Sequence, residues 1–410
     1  MKRLMRTTAL ALILALFLAQ ALCACADEDK AAEYLESWYG VAPFGEEVTI
    51  EDFNAALEAL GQPRLDDEAL TLESAARAAV RLAGMEELAL TYVNDDVPDK
   101  AADVLESEDL SVDEASAPYV ACAIDLGLID PEEPLDGDAV TDLLYAAAGM
   151  AGMGRRALGR LSDDDILPQI NSALSGFINF DQPALTDLGT QIVLRGATTG
   201  YGLKYAGYDA RFLEDYTIRY SHSERLHALQ LAALLDSEGI DAWVQIEPKV
   251  SVYEYMPDWG DPGAPTPTYA VVQVAEDRYL CYAMEYDMVL EFDDAEDKEA
   301  FHDVIETYAK KYDDSYDAEG NLTEKLIAGS WWQPLYSSAT EMENEEFALL
   351  YDNVVYDADG LFSIHPFSLA EDTQAIADVA AEVAPELTPS PVAVYVNPAF
   401  LRYITGEDYQ

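Results

Sequence analysis

Six side chains in the second half of the chain combine the stacking and hydrogen-bonding groups that bind a sugar or a peptide. They are Glu224, His227, Tyr253, Tyr255, Trp259 and Tyr269. Aromatic faces stack on flat or ring-shaped groups, and carboxylates accept hydrogen bonds from hydroxyl and amide groups. Residues 253–267 fall between two predicted strands, so this loop would overhang a cleft. A loop held in place by its own aromatic residues explains the same pattern and is the commoner arrangement.

Few histidines are placed to act as a catalytic base. His222 beside Ser223 is the pair that could support hydrolysis, but adjacent side chains seldom point at one place. His227 shares a helix face with Leu231 and Leu234, which is typical of a core residue. We therefore expect no catalytic residue in this stretch.

The cysteines and the acidic loops indicate no bound metal. Cys122 and Cys281 each lie inside an apolar run, as buried cysteines do, and no zinc or disulfide spacing is present. The stretches 313–317 and 357–360 are rich in Asp, but they lack the glycine and terminal glutamate spacing of calcium loops. Ordinary turns are the simpler interpretation. We expect no cofactor, with loosely bound calcium left as the open alternative.

The residues around Glu224 predict a buried helix followed by a strand. Ser221 with Glu224 three residues later forms a capping box, and residues 223–238 are apolar around most of the helix. Gly239 then supplies the left-handed residue with which many helices end. A strand rich in branched and aromatic residues follows and is bounded by Pro248.

The stretch 233–242, ALLDSEGIDA, resembles the core of the transglutaminase-like (papain-like cysteine hydrolase) fold. In that family a buried helix leads through a Gly-Ile-Pro-Ala turn into a strand. Further strands are predicted at 242–247, 269–274, 278–284 and 287–292. The resemblance implies an α+β domain over residues 165–410, in which an antiparallel sheet packs on a central buried helix.

The same resemblance implies where that family's catalytic residues would stand. The nucleophilic cysteine position falls on Glu224, or on Ser223 if the register slips by one, and the histidine position falls on Tyr269. Glu285 or Asp287 would match the acid, which has no imidazole to orient here. The resemblance therefore implies a fold kept without its acyl-transfer chemistry. A hydrolase or acyltransferase using Ser223 or carboxylates is the alternative.

Residues 45–158 contain an internal repeat. Residues 70–85 align without gaps on residues 135–150, and residues 48–61 form a shorter third copy. Each copy has a helix rich in small and apolar residues that ends at glycine. With the stretch 117–129, APYVACAIDLGLI, the repeat resembles the surface-layer homology module, which implies an N-terminal all-α helical-repeat domain.

Surface-layer homology modules hold exported proteins to anionic wall polysaccharide through an arginine near the start of a helix. The equivalent positions are Ile50, Leu72 and Gly137 here, and the usual tryptophan is Ala115. Without cations the pocket loses the charge-assisted hydrogen bonds that would hold an acidic sugar. The resemblance implies that the shape of the module is kept, and leaves wall binding by this domain as an open question.

The N-terminus predicts export. Three basic residues precede an apolar run over residues 9–22, as in a secretory signal peptide covering residues 1–26. Residues 27–44 then form a polar tether. Two processing routes fit: cleavage by signal peptidase after small residues, or lipidation of Cys25 in a stretch that resembles a bacterial lipobox. We favour Cys25 as a lipidation site.

The net charge of the chain limits the classes of partner that it can bind. Loss of Lys2, Arg3 and Arg6 with the signal peptide changes the net charge from −56 to −59. Such a field repels polyanions, so we expect no nucleic-acid partner, and membrane contact only through the signal peptide or a lipid anchor. The chain is 50% hydrophobic, which is enough for a globular protein with two cores.

These observations predict an exported bacterial cell-envelope protein that is a non-catalytic surface or binding protein. Its expected partners are cell-wall polysaccharide or a surface peptide or glycan, bound in the cleft under the 253–267 loop. A hydrolase or acyltransferase and a purely structural wall component are the alternatives.

Overall fold

The computed structural model describes residues 30–93, 99–256, 260–308, 335–344 and 346–407. The chain forms two compact units that divide between Arg155 and Arg156. Within the described residues, no helix combines the length and the apolar character needed to cross a membrane.

The first unit is built of α-helices around an apolar core. Phe53, Leu57, Leu143 and Leu144 are almost completely buried in it, together with many alanines that let the helices approach closely. Its helices in the described residues are α1 (Ala31–Tyr39), α2 (Ile50–Ala59), α3 (Leu72–Leu82), α4 (Glu86–Leu90), α5 (Lys100–Ser107), α6 (Ala117–Asp125) and α7 (Gly137–Met150).

The helices that carry the copies of the internal repeat begin in the same way. Thr49, Thr71 and Asp136 precede α2, α3 and α7, and each side chain accepts a hydrogen bond from the backbone N–H three residues later. These caps satisfy donors that the first helical turn leaves unpaired. The copies of the internal repeat therefore begin at equivalent capped positions.

The residue after the third cap leaves no space for a side chain. A Cβ atom at Gly137 would clash with the backbone carbonyl of Gly45. No arginine or other side chain could therefore be accommodated at Gly137 without moving the backbone.

The second unit is a β-barrel surrounded by helices. Its helices are α8 (Ile166–Ser175), α9 (Pro183–Leu194), α10 (Arg225–Glu238), α11 (Ala295–Tyr308), α12 (Thr373–Val383) and α13 (Pro398–Thr405). Its strands are β1 (Gly159–Arg160), β2 (Gly200–Tyr205), β3 (Thr217–His222), β4 (Ala242–Tyr255), β5 (Tyr269–Ala275), β6 (Arg278–Phe292), β7 (Leu335–Ser338), β8 (Ala348–Tyr356), β9 (Phe362–Ser368) and β10 (Ser390–Val396).

Eight of these strands close into an antiparallel barrel. Their order is β4, β2, β9, β8, β10, β7, β3 and β6, and β6 pairs back with β4. The β4–β6 pair runs without a break from Ala242 opposite Phe292 to Tyr255 opposite Tyr279. Strand β1 adds to β4, and β5 adds to β6.

The predicted α+β fold, an antiparallel sheet packed on a central buried helix, is wrong. The strands predicted at 278–284 and 287–292 are one long strand, and β4 continues through Pro248 to Tyr255. Long strands with partners on both sides let the sheet curl and close. Helix α10 does pack on the sheet, but it shares the outer surface with α8 and α11.

The two faces of the barrel wall differ in character. On β4 and β6 the outward pairs are apolar, as with Ile246 opposite Met288, and they pack against helices α8, α10 and α11. The inward pairs include Glu247 opposite Asp287. Side chains alternate along a strand, so the sequence of each long strand carries both an apolar and a charged row.

Candidate functional site

The predicted site residues Glu224 and His227 lie on the outer face of the barrel, at the start of α10. The backbone N–H of Glu224 donates to Nδ1 of His222 at 2.8 Å, and its carbonyl accepts from the Tyr286 hydroxyl at 2.6 Å. Nδ1 of His227 lies 3.0 Å from Nε2 of His222. Desolvation lowers the pKa of His227, so neutral imidazole is favoured there.

His222 is not a base for Ser223. Both of its ring nitrogens already face other partners, the N–H of Glu224 and the ring of His227. The predicted capping box is also wrong, because Ser221 belongs to β3 and its hydroxyl donates to Asp287.

The predicted tyrosines Tyr253, Tyr255 and Tyr269 gather on the inner face around the Cys281 thiol. Burial is the main cause that raises the pKa of Cys281 to about 11 and that of Tyr269 to about 12. A thiol that stays protonated is a poor nucleophile. These tyrosines therefore form a packed cluster around an unreactive cysteine.

The predicted cleft is therefore split by the barrel wall. His222 is paired with Tyr286 and Tyr253 with Cys281, and positions 281 and 286 of a regular strand point to opposite faces. Glu224 and His227 belong to the outer face, whereas the tyrosines belong to the inner one. Trp259, Cys25 and the signal peptide, and the 313–317 loop lie outside the described residues.

The 357–360 stretch is an ordinary turn between β8 and β9. Oδ1 of Asp357 accepts hydrogen bonds from the backbone N–H groups of Leu361 and Phe362, as in a turn closed by aspartate. Among the described residues, no group of three or more His, Cys, Asp and Glu side chains is arranged to hold a metal ion.

Inside the barrel, Asp287 is the centre of a buried charge cluster. It binds the ammonium of Lys204 at 2.5 Å and that of Lys249 at 2.6 Å, and accepts from the Ser221 hydroxyl at 2.5 Å. Burial alone would raise the pKa of Asp287, but the two ammonium groups outweigh it and hold the pKa well below its usual value.

Two further carboxylates lie on the same inner face. Glu247 accepts from the backbone N–H of Ala210 at 2.9 Å and lies 3.3 Å from the guanidinium of Arg219. Glu285 accepts from the hydroxyl of Ser251 at 2.6 Å, and burial raises its pKa. The cations of the interior are therefore engaged by carboxylates of the protein itself.

A second polar cluster lies farther along the inner face, on β8 and β9. Oγ of Ser363 is 2.9 Å from Nε2 of His365, and Nδ1 of His365 is 2.7 Å from Oδ2 of Asp352. Because an ionised carboxylate only accepts, Nδ1 carries the hydrogen and Nε2 is free to accept the proton of Ser363.

This cluster lies at the end of the barrel that the connection from β2 to β3 crosses, where Ala210 and Phe212 pack against Val289. Tyr356 lies directly opposite Ser363 and is 55% exposed. Burial raises the pKa of the Tyr356 hydroxyl, and the carboxylates of Asp209 and Asp352 add to the effect. Desolvation and the neighbouring Glu247 raise the pKa of Asp209 at the rim. We call the five residues Asp209, Asp352, Tyr356, Ser363 and His365 the barrel mouth.

The other end of the barrel is covered by α13. Phe400 of this helix packs against Leu350, Val396 and Phe367 on the inner face. A Cβ atom at Gly200 would lie 2.7 Å from the Val252 carbonyl and 3.1 Å from the Tyr403 hydroxyl, so glycine admits the helix there.

Sequence reasoning missed the barrel mouth because its residues come from three separate segments. The pair Ser363 and His365 carries a local signal, since residues two apart in a strand share one face. Asp352 could be added only by knowing that β8 and β9 pair, with Tyr351 opposite Ser368.

Comparison with known proteins assigns the chain to no family. No family model, curated protein or solved structure matches the chain significantly. The resemblances to the surface-layer homology module and to the transglutaminase-like fold stay predictions.

Proposed function

We propose that the chain is an exported cell-envelope protein that binds a neutral glycan or a peptide at the barrel mouth. The observation that carries this proposal is the exposed ring of Tyr356 directly opposite the hydroxyl-bearing Ser363. An exposed aromatic face next to hydrogen-bond acceptors is the usual means of recognising a sugar ring or a peptide group.

The charge of the site favours a neutral or cationic ligand. Lys204, Lys249 and Arg219 are cations of the barrel interior, and each is bound to a carboxylate. A polyanion would meet the carboxylates of the mouth and the net charge of the whole chain. Nucleic acid and anionic membrane surfaces are therefore not proposed as partners.

We assign ligand binding to the barrel unit. The helical unit keeps three capped repeats, yet the positions after the caps are Ile50, Leu72 and Gly137. A groove of about 400 Å³ in this unit is lined by the acidic residues Asp130 and Glu133, which would repel an acidic wall polymer. The helical unit then acts as a spacer between the barrel and the anchor predicted at Cys25.

Retention on purified cell-wall fractions and on isolated neutral glycans tests this proposal. The mature chain is expected to be retained, and Tyr356→Ala to bind about five- to 150-fold more weakly, since ring stacking of this kind contributes roughly 1–3 kcal/mol. Tyr308→Ala is the matched control, because Tyr308 is 40% exposed on α11. EDTA is expected to leave binding unchanged.

Two results would contradict the proposal. One is the absence of retention of the mature chain on every fraction, which would leave a purely structural role. The other is equal binding by Tyr356→Ala and by Tyr308→Ala, which would move the binding site away from the barrel mouth.

A further inference from the structure

We propose that Ser363, His365 and Asp352 form a nucleophilic site that cleaves small carboxylic esters. This activity goes beyond ligand binding and does not depend on it. The three side chains make the two successive hydrogen bonds of a serine hydrolase, from hydroxyl to imidazole and from imidazole to carboxylate.

The first step of the argument is how rigidly the base is held. His365 lies between Ser363 and Asp352 on two paired strands, so its ring is fixed at both nitrogens. The side chains of Asp352 and His365 are only 13% and 15% exposed. Strands of a closed barrel hold side chains more rigidly than loops do, which favours a preorganised site.

The second step concerns the hydrogen bonds of the two carboxylate oxygens of Asp352. One oxygen, Oδ2, accepts from His365, while Oδ1 is buried and has no hydrogen-bond partner among the described residues. Burying a carboxylate oxygen without a hydrogen-bond partner costs free energy, so the position of Oδ1 needs an explanation. Stabilising a positive imidazolium during catalysis supplies one, because the carboxylate then faces a full charge.

The third step is a positive charge that can stabilise the negative oxygen formed when the ester carbonyl is attacked. Lys204 is directly opposite Ser363 in the β2–β9 pair, which places their Cβ atoms about 5 Å apart. The ammonium of Lys204 also binds Asp287. It therefore lies on the same inner face as the serine, where an oxyanion would form.

The reaction is acyl transfer to serine followed by hydrolysis. Oγ of Ser363 attacks the ester carbonyl carbon while Nε2 of His365 takes the hydroxyl proton. The C–O bond to the alcohol then breaks, and His365 returns the proton to the leaving oxygen. Water next attacks the acyl-serine, gives its proton to His365, and releases the carboxylic acid as Ser363 regains its hydrogen.

The space around the serine limits the acyl group. Ser363 is only 7% exposed, and Tyr356 stands directly opposite it. An acyl group has to pass the tyrosine ring, which favours a short group over a long or branched one. The substrate class is therefore a short-chain acyl ester whose alcohol part points out of the barrel mouth.

Labelling and turnover together test the inference on the purified mature chain. A fluorophosphonate probe is expected to modify Ser363, as located by peptide mass spectrometry, and 4-nitrophenyl acetate is expected to be hydrolysed. Ser363→Ala should abolish labelling and reduce turnover by about 10³-fold or more, and Asp352→Asn should reduce turnover by a similar factor.

Ser223→Ala is the matched control, because Ser223 lies beside a histidine whose nitrogens are engaged elsewhere. It should retain full turnover and labelling. Hydrogen exchange over β8 and β9 confirms that each variant is folded. The inference is overturned if the folded wild-type chain is not labelled at Ser363, or if turnover persists in Ser363→Ala.

Discussion

The helical unit carries exposed ion pairs, whereas the barrel unit, besides exposed pairs of its own, also buries ion pairs inside the barrel. In the helical unit Arg64 pairs with Glu58 at 3.2 Å, and both side chains are more than half exposed, at 51% and 53%. In the barrel unit Lys249 pairs with Asp287 at 2.6 Å, and only 12% and 4% of these side chains are exposed. One unit is filled by apolar residues, whereas the other encloses charge.

The difference shows which interactions hold each unit together. Exposed ion pairs contribute little because water and salt screen them. A buried pair whose partner is removed leaves an uncompensated charge, which is strongly destabilising. Substitution of a charged residue should therefore have a small effect in the helical unit and a large one in the barrel.

The largest expected effect is that of Asp287→Asn. This change keeps the shape of the side chain but leaves Lys204 and Lys249 without their shared carboxylate. We expect the barrel to lose roughly 3–5 kcal/mol of unfolding free energy. Hydrogen exchange resolved by peptide measures the barrel and the helical unit separately. Glu58→Gln is the control, with an expected loss below about 1 kcal/mol. Equal losses of unfolding free energy in Asp287→Asn and Glu58→Gln would contradict the expected difference between the units.

A smaller effect is expected from Lys298 when the pH is raised. Lys298 is 3% exposed and donates to the Asp215 carbonyl and the Thr340 hydroxyl, and burial lowers its pKa to about 8. In the unfolded chain a lysine holds its proton up to about pH 10.4. The unfolded state therefore binds more protons between these values, and barrel stability rises with pH.

Comparison with Lys298→Met isolates this contribution. From pH 8 to pH 10 the wild-type barrel should gain about 2 kcal/mol relative to the variant, measured by urea unfolding with hydrogen exchange as the local readout. Lys100 in the helical unit provides the contrast, since its side chain is 53% exposed and its pKa is raised by the hydrogen bond to Asp125. Lys100→Met should show no such gain, and a gain there would contradict the assignment.

The smallest effect concerns the helix caps. Thr71→Ala removes the side chain that accepts from the Ser74 N–H, and should cost the helical unit about 1 kcal/mol. Glu224 is the N-cap of α10 in the barrel unit, and it makes no side-chain cap hydrogen bond among the described residues. Glu224→Ala should therefore change stability by less than Thr71→Ala. Thermal unfolding of both variants measures these effects. Equal losses of stability in Thr71→Ala and Glu224→Ala would contradict the expected difference.

The difference between the two units also explains which features of the fold can be predicted from the sequence. In the helical unit the repeated apolar pattern is a local signal, and the helices α2 and α3 lie within the predicted repeat copies. The left-handed C-cap predicted at Gly239 is confirmed, with φ of 81°. Such features depend on neighbours within a few residues, which the sequence displays directly.

Barrel closure could not be predicted in that way. It depends on the pairing of β2 with β9 and of β3 with β7, strands far apart in the chain. No periodicity within a strand reports its partner. Pro248 predicts the end of a strand, because proline cannot donate a backbone hydrogen bond, yet β4 continues through it opposite Tyr286.

The place of β2 between β4 and β9 also sets an order of assembly during synthesis. The helical unit precedes the barrel in the chain and can fold as it emerges, whereas β2 waits for a neighbour that is made near the end of the chain. A product that stops before Phe362 would carry β2 with one side unpaired. Exposed strand edges join other chains, so truncated products are expected to aggregate even though their first unit is intact.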